Sequence, residues 1–576
     1  MTSHPLPPDS PRSVWSRRLA AAGVAAAALL PALRRLSDPD LPWHLAVGRA
    51  AVAARGLIKG DDFSYTQSGR FVPYEYLSEL PLYAAHRLAG SWGLHLLTAA
   101  SVGLLAWLLT LRARRDARLA ALAFCGLALA ALSPFLILRP ALLGLPFFAA
   151  ALLCSDRYRQ TQEPRWLWLL VPLQVLWANV HAFAIVGAAL AVAAAALLAE
   201  RRGRAQAACA AAAAVIATGL SSFGPGIFLG PWRVASHSAL LREWAPASWD
   251  LFWRYDPALG LLIALAAAAL VWGRSEEDRR AARLFDLFLV LGTFLLMLLR
   301  FRLAPLFIIA AAPFTAQKLW PWLKGRRWLP AAVLAAALLA PAAVALRREV
   351  PWGIGFDRSR LPEGAVRFIA ERSPQGPVFN DLAFGGYLIW RLQPQVKVFI
   401  DGRTAYLYPR DFLEQAWQAE YRPEAFARLA ARYAFQWAVV NARADSDSAR
   451  PLAADPDWAM VYVDDTAAVY INIKGPNRRL LASGYQGLRH LTPWPMLLDD
   501  GLPLPVLEHD AALALAQAPD SVRAHLWAVA VALRQGDLAS ARGLRDRIAA
   551  LAPREPGLPL LDRLLARPVR EKLPQG

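Results

Sequence analysis

The first shortage is cysteine, three in 576 residues. Cys125, Cys154 and Cys209 all lie in apolar stretches without metal-ligand spacing, so neither a disulfide framework nor a zinc site is expected. Charge is scarce too, at 19% of residues, and acids are scarcer than bases: 44 Asp and Glu against 63 Lys and Arg, a net charge of +19. A basic total can signal nucleic acid. Here many arginines cluster in short loops between apolar runs, which is a topology signal, so no nucleic-acid partner is expected. The apolar runs are nearly free of acids, Asp286 being the main exception. That counts against a transporter, whose proton relay would sit mid-span. No glycine-rich, phosphate-cradling loop stands near the acids of the loops. No small-x-small cleavage site precedes Arg34, so Arg17-Arg18 and the apolar run after them read as an uncleaved anchor.

What is plentiful is apolar surface. The chain is 56% hydrophobic with mean hydropathy +0.30, too apolar for an ordinary soluble enzyme and too long for one domain. Runs of membrane-spanning length recur up to about Leu346 and then stop. After a Pro/Ser-rich basic lead, 1–18, the pattern predicts about eleven spans within 19–346. The first is Leu19–Leu33. The others are Gly93–Leu111, Leu119–Leu138, Ala141–Cys154, Trp166–Ala178, Phe183–Leu198, Ala205–Leu220, Ala258–Trp272, Leu284–Leu298, Leu303–Ala316 and Leu329–Leu346. Arginine-rich loops alternate, which puts the N-terminus in the cytoplasm and, with an odd number of spans, the tail outside. The loop 34–90 is then outside as well. Its stretch Trp43–Arg55 reads as an amphipathic helix on the membrane plane, and Tyr74–Leu88 as a second interfacial helix.

That loop holds the densest chemistry. Asp38-Pro39-Asp40 is followed by Trp43-His44, then Asp61-Asp62-Phe63-Ser64-Tyr65, then Tyr74-Glu75-Tyr76-Leu77-Ser78-Glu79. Carboxylates at a membrane surface are costly to bury and tend to persist where they bind a cation, take a proton or orient a substrate. The plainer alternative is that Asp40 is a helix cap ahead of Pro42. Arg139, Arg300 and Arg302 fall at outer span ends, against the charge rule, beside a short outer turn with Asn179 and His181. Basic groups at that depth suit a lipid phosphate; snorkelling or a carboxylate partner is the alternative, and for His181 a structural role. Glu243, in the outer loop from Ser221 to Asp256, is a secondary acidic candidate.

Beyond the spans, 347–480 reads as α/β, with strands at Pro377–Asn380, Val396–Ile400, Trp437–Asn441, Met460–Asp464 and Ala467–Ile473. Helices are expected at Glu363–Arg372 and Pro423–Tyr433. Phe384-Gly385-Gly386-Tyr387 and Asp401-Gly402-Arg403 place glycine and polar groups where strand ends often face ligands; a turn and an Asp–Arg pair is the alternative. A linker, 481–510, leads to a tail, 511–576, of amphipathic helices resembling a tetratricopeptide unit, a candidate surface for a protein partner.

These motifs together resemble a family. The Asp-x-Asp pair after an N-in first helix, the two interfacial helices, the many spans and the outer domain are similar to the integral-membrane C-type (GT-C) glycosyltransferases. Those include protein O-mannosyltransferases, aminoarabinose transferases and oligosaccharyltransferase catalytic subunits. Asp38-Pro39-Asp40, Asp62-Phe63-Ser64-Tyr65, Glu75-Tyr76-Leu77-Ser78-Glu79, Gly385-Gly386-Tyr387-Leu388 and Asp401-Gly402-Arg403 resemble an uncharacterised bacterial branch of it. The resemblance covers about residues 15–475. It implies a polytopic α-helical membrane protein with an extracytoplasmic α/β domain, in a bacterial inner membrane. It implies transfer of a sugar from a polyprenyl phosphate to a glycan, lipid or protein, with Asp38 or Asp40 as base. Arg139, His181, Arg300 and Arg302 would meet the donor phosphate. His44, Glu75, Glu79, Glu243, Tyr387, Asp401 and Arg403 would form acceptor or secondary sites. A divalent ion, Mg²⁺ or Mn²⁺, between Asp38 and Asp40 stays open. The chain lacks the Trp-Trp-Asp motif of oligosaccharyltransferases, which argues against peptide Asn as acceptor. A non-catalytic component of polysaccharide assembly remains the rival reading.

Overall fold

A computed structural model describes residues 11–67, 71–112, 118–237, 245–248, 256–273, 280–323, 350–443 and 449–566, with isolated positions 326, 328, 332, 335, 339 and 446. Glu243, the start of the N-terminal lead and nearly all of the expected span Leu329–Leu346 lie outside the described residues. The chain divides into two compact units. One comprises Met1–Lys59 and Phe71–Phe356, the other Gly60–Arg70 and Asp357–Gly576.

The first unit is helical. Four of its described helices are long and apolar enough to cross a membrane: Tyr76–Leu111, Pro140–Thr161, Arg280–Leu299 and the stretch Phe301–Leu323. Shorter apolar helices include Ala21–Leu33, Ala120–Phe135, Ala184–Leu198 and Pro257–Trp272. The helix Ala304–Leu323 is apolar on every side over its first turns, and every residue from Ala304 to Ala316 is buried, as such a pattern requires. Tyr76–Leu111 leaves helical geometry at Ala89 and Gly90, so the expected interfacial helix and the expected span Gly93–Leu111 form its two arms. The expected span Trp166–Ala178 is covered by Arg165–Trp168 and Leu170–Val180, joined through Leu169 in helical geometry. The exceptional acid is accounted for: Asp286 is paired with Arg159 at 2.9 Å and Lys318 at 3.1 Å, and Asp156 with Arg112 at 2.8 Å.

The helix Leu41–Ala54 departs from expectation. A helix resting on a membrane buries one stripe; here every residue from Leu41 to Gly48 is buried. The reason is its neighbour. A Cβ at Gly48 would fall 2.4 Å from the Glu79 carbonyl oxygen and 2.7 Å from Tyr83 Cβ, so glycine lets the two helices touch backbone to backbone.

The second unit is α/β. Strands β1 (Val378–Asn380), β2 (Trp437–Asn441), β3 (Trp458–Val463) and β4 (Ala467–Asn472) form a sheet in the order β1-β2-β4-β3. β1 and β2 are parallel and the other pairs antiparallel. Helices Glu363–Arg372 and Pro423–Tyr433 form where expected.

Two expectations are corrected. Val396–Ile400 is not a strand of the sheet; Val398 makes an isolated parallel bridge to Ser64, with Val398 N–H donating to Phe63 O and Tyr65 N–H to Val398 O. Phe384-Gly385-Gly386-Tyr387 is not a strand-end loop but the middle of the helix Leu382–Leu392, capped by Asp381. A Cβ at Gly385 would lie 2.0 Å from Ile400 O, so the glycine serves packing. A further helix, Arg410–Ala419, forms in addition to those the pattern predicts. The tail helices are Leu504–Gln517, Val522–Gln535, Leu538–Leu551 and Leu558–Leu565, the first beginning inside the stretch read as linker.

Candidate active site

The site forms in the first unit, where five separated stretches meet. The loop carrying Asp38 is pinned as an edge. Arg35 N–H donates to Pro351 O at 2.7 Å and Leu36 N–H to Gly355 O at 2.8 Å, while Gly355 N–H donates to His95 Nε2 at 2.9 Å. The Arg34 guanidinium holds the Ser133 carbonyl at 2.6 Å and the Ser133 hydroxyl. Asp38 Oδ1 accepts from Asp40 N–H at 2.8 Å, and its Oδ2 lies 3.6 Å from Arg139 Nη1.

Asp40 stands at the helix N-terminus, and its backbone oxygen starts the helix by accepting from Trp43 and His44 N–H. Its side chain makes no capping bond. Asp256, Asp381 and Asp537 do cap helices in this chain, so the carboxylate of Asp40 is set apart. Its Oδ1 accepts from Trp43 Nε1 at 3.2 Å. The simple cap reading is corrected: helical backbone angles at Asp40 turn the carboxylate away from the N–H groups it would have to reach. Asp40 remains partly exposed, whereas Asp38 is buried. Burial and the neighbouring Asp38 charge push Asp40 above the usual carboxylate range, against the pull of Arg139, the Trp43 hydrogen bond and Arg302.

Glu75 and Glu79 face the same place from the start of the helix Tyr76–Leu111. His181 Nε2 lies 3.3 Å from Glu75 Oε1, and His44 Nε2 lies 3.8 Å from Glu75 Oε2. His44 Nδ1 is 3.4 Å from Glu79 Oε1. Burial raises Glu75 to about 8; Arg302 offsets part of this and Asp40 adds to it. Burial, aided by Arg139, holds both imidazoles well below their usual value, so they are neutral near pH 7. Ser222 ties the turn at 179–181 to this corner. Its hydroxyl donates to Pro73 O at 2.6 Å and its N–H to Asn179 Oδ1 at 2.8 Å.

The structure thus brings Asp38, Asp40, His44, Glu75, Glu79, Arg139, His181 and Arg302 together. Arg300 Nη1 donates to Leu299 O, and Arg302 is the member whose charge acts on Asp40 and Glu75. Tyr387 belongs to the second unit, where it donates to Glu363 at 2.8 Å and accepts from Arg391 at 2.7 Å. Asp401 and Arg403 are fully buried within the second unit. Arg403 pairs with Asp401 at 2.6 Å and with Asp61 at 2.7 Å, and Tyr408 OH donates to Asp401 at 2.8 Å. Such a closed, satisfied set is a structural clasp. Sequence reasoning missed Trp43 as the donor to Asp40 and Tyr74 as a hydrogen-bond partner of Glu75. Tyr74 adjoins Glu75, and Trp43 stands three residues after Asp40, one helical turn on, which is the signal available.

Among the described residues no group of three or more His, Cys, Asp or Glu is disposed to hold a metal ion. A divalent ion at Asp38 and Asp40 would have two carboxylates from the protein, with Asp38 Oδ1 also accepting from Asp40 N–H.

By fold, then, this is a mostly helical protein with membrane-length apolar helices, an α/β unit and an acid–imidazole–guanidinium cluster. No family model and no curated protein matches the chain. Among solved structures it is similar to ArnT from Cupriavidus metallidurans, crystallised bound to undecaprenyl phosphate. The identity is 14%, with 81% of this chain and 99% of that chain covered and a TM-score of 0.48.

Proposed function

We propose that this protein is a membrane glycosyltransferase of the GT-C type. It moves a sugar from a polyprenyl-phosphate donor to an extracytoplasmic hydroxyl, on a glycan, lipid or protein. The observation that carries the reading is the Asp40 carboxylate. It sits at a helix N-terminus without capping it, keeps an exposed edge, and has a second acid and two guanidiniums around it. A charged base with nothing to cap is suited to take a proton.

In this reading the acceptor hydroxyl approaches the sugar C1 and gives its proton to Asp40. The new C1–O bond forms as the C1–O(phosphate) bond breaks, and the phosphate leaves with the electron pair. Arg139 and Arg302 stabilise the charge it gathers, in surroundings of lowered dielectric. Asp38 is the positioning residue: it holds the Asp40 backbone and orients Arg139. No step needs a metal. The same reading puts the N-terminus in the cytoplasm, the domain 347–480 outside a bacterial inner membrane, and a partner-binding surface on the tail 511–576.

The test uses the full chain in lipid with a panel of polyprenyl-phosphate sugars, followed by thermal unfolding. A donor at a hundred times its Kd stabilises by about 2.7 kcal/mol. One donor should stabilise the wild type and Asp40→Asn but not Arg302→Ala. No stabilisation by any donor would contradict the reading and favour a non-catalytic assembly component.

A further inference from the structure

Asp38 and Asp40 stand in a loop between the first helix and the helix Leu41–Ala54, so their place depends on what grips that loop. Three backbone hydrogen bonds grip it from a strap, residues 351–356. Gly353 N–H donates to Leu33 O at 2.9 Å, Arg35 N–H to Pro351 O at 2.7 Å and Leu36 N–H to Gly355 O at 2.8 Å. Leu36 lies two residues before Asp38 and four before Asp40. The pairing changes sense along the strap, antiparallel at Arg34 and Trp352, parallel at Leu36 and Phe356. Between those points the backbone passes through Gly353 at φ +132° and Gly355 at φ +93°, angles that glycine adopts without strain.

One side chain closes this clasp. His95 is 4% exposed, and the proposed transfer does not use it. Its Nε2 accepts from Gly355 N–H at 2.9 Å, and its other hydrogen-bond partner is the Ala32 backbone. With Nε2 accepting, the ring hydrogen is on Nδ1 and goes to the Ala32 carbonyl. Neutral imidazole offers that pairing of one donor and one acceptor, and imidazolium does not. One ring thus joins the end of the first helix to the strap. The ring is itself held in place, because His95 belongs to the helix Tyr76–Leu111, whose first turn carries Glu79. That helix bends at Ala89 and Gly90, and a Cβ at Gly93 would fall 1.9 Å from the Ala85 carbonyl oxygen. The arm bearing His95 is therefore packed on the arm bearing Glu79. His95 ties the Asp38–Asp40 loop to the helix that presents the other acids.

We infer that His95 is a positioning residue of the proposed transfer: it locks the strap 351–356 to the end of the first helix and so sets where the Asp40 carboxylate stands. The inference rests on the transferase reading above and adds a residue to it. His95 acts through the backbone that carries Asp40 and has no contact with sugar or phosphate in this reading. A misplacement of about 1 Å at a reacting group can cost about a hundredfold in rate. The donor phosphate is met by Arg139 and Arg302, which other stretches carry, so donor binding should suffer less than turnover.

The test follows transfer from radiolabelled polyprenyl-phosphate sugars by the full-length protein in lipid nanodiscs, separating kcat from the donor KM. His95→Leu removes both hydrogen bonds; kcat should fall about tenfold to a hundredfold while KM changes no more than about threefold. His95→Gln puts an acceptor and a donor back in one amide and should recover most of the rate. In the Asp40→Asn background, His95→Leu should cost less than about threefold, because the group it positions is already gone. A histidine that only packs would lower the unfolding temperature without splitting kcat from KM, and its full cost would reappear beside Asp40→Asn. The wild type carries a readout of its own: the ring-nitrogen NMR shifts of His95, assigned by their absence from His95→Gln, should report a neutral ring with its hydrogen on Nδ1. A hydrogen on Nε2, a wild-type kcat in His95→Leu, or a His95→Gln no faster than His95→Leu overturns this inference and leaves Asp40 as base standing. No transfer by the wild type from any donor overturns the transferase reading itself, and this inference with it.

Discussion

Removing the Arg403 guanidinium is the sharpest perturbation of the second unit. Arg403, Asp61 and Asp401 have no side-chain exposure, and the one cation serves both acids. Burial alone would push Asp401 up, but Arg403's charge and hydrogen bonds outweigh it and hold the carboxyl below its usual range. In Arg403→Met two buried carboxylates face each other, with Tyr408, Ser64 and backbone N–H groups as the donors among the described residues. Breaking one partner out of a buried pair costs about 3–5 kcal/mol. Native-state hydrogen exchange reads the cost where it falls, at Phe63, Tyr65 and Val398, whose backbones bridge the loop segment to the α/β unit. Local opening should become about a hundredfold to a few thousandfold easier at those amides, with amides of β3 and β4 less affected. Adding Asp61→Asn and Asp401→Asn should restore most of the protection. Unchanged exchange at Val398 in Arg403→Met would refute the reasoning.

Three further outcomes follow from the first unit. Gly48→Ala puts a methyl against the Glu79 backbone, costing about 1–3 kcal/mol and spreading the helices that bring His44 to Glu75; thermal unfolding and loss of donor stabilisation would both report it. Trp43→Phe removes a donor that favours the charged form of Asp40, so its pKa rises further. The acid limb of the activity profile should move up by about one pH unit, and an unmoved limb would contradict Asp40 as the base. Glu75, raised in the folded state from 4.5 to about 8, contributes stability that is full below pH 4.5 and lost as pH rises through 8. Glu75→Gln should therefore unfold at a higher temperature than the wild type at pH 9, with the difference shrinking toward pH 5.

The first-loop acids could be read from the sequence because they are local: Asp-Pro-Asp, His44 and the Glu75/Glu79 pair lie within 42 residues of one another, beside the first apolar run. Arg139, His181 and Arg302 could be flagged only as misfits to the charge rule. Their convergence depends on helix packing between stretches far apart in the chain, which no periodicity encodes. The cap reading of Asp40 failed on a backbone angle. Gly385-Gly386 misled because glycine signals both turns and close packing, and only the Ile400 carbonyl above it decides which. Asp401-Gly402-Arg403 looked like a ligand-facing end because its second acid, Asp61, lies 342 residues away from Arg403.

The central claim is that Asp40 takes a proton during sugar transfer. The direct measurement incubates membranes containing the protein with radiolabelled polyprenyl-phosphate sugars and follows label into glycan, lipid and protein fractions. The account predicts transfer by the wild type that falls at least about a hundredfold in Asp40→Asn while donor stabilisation is kept. Transfer by Asp40→Asn at the wild-type rate would contradict it.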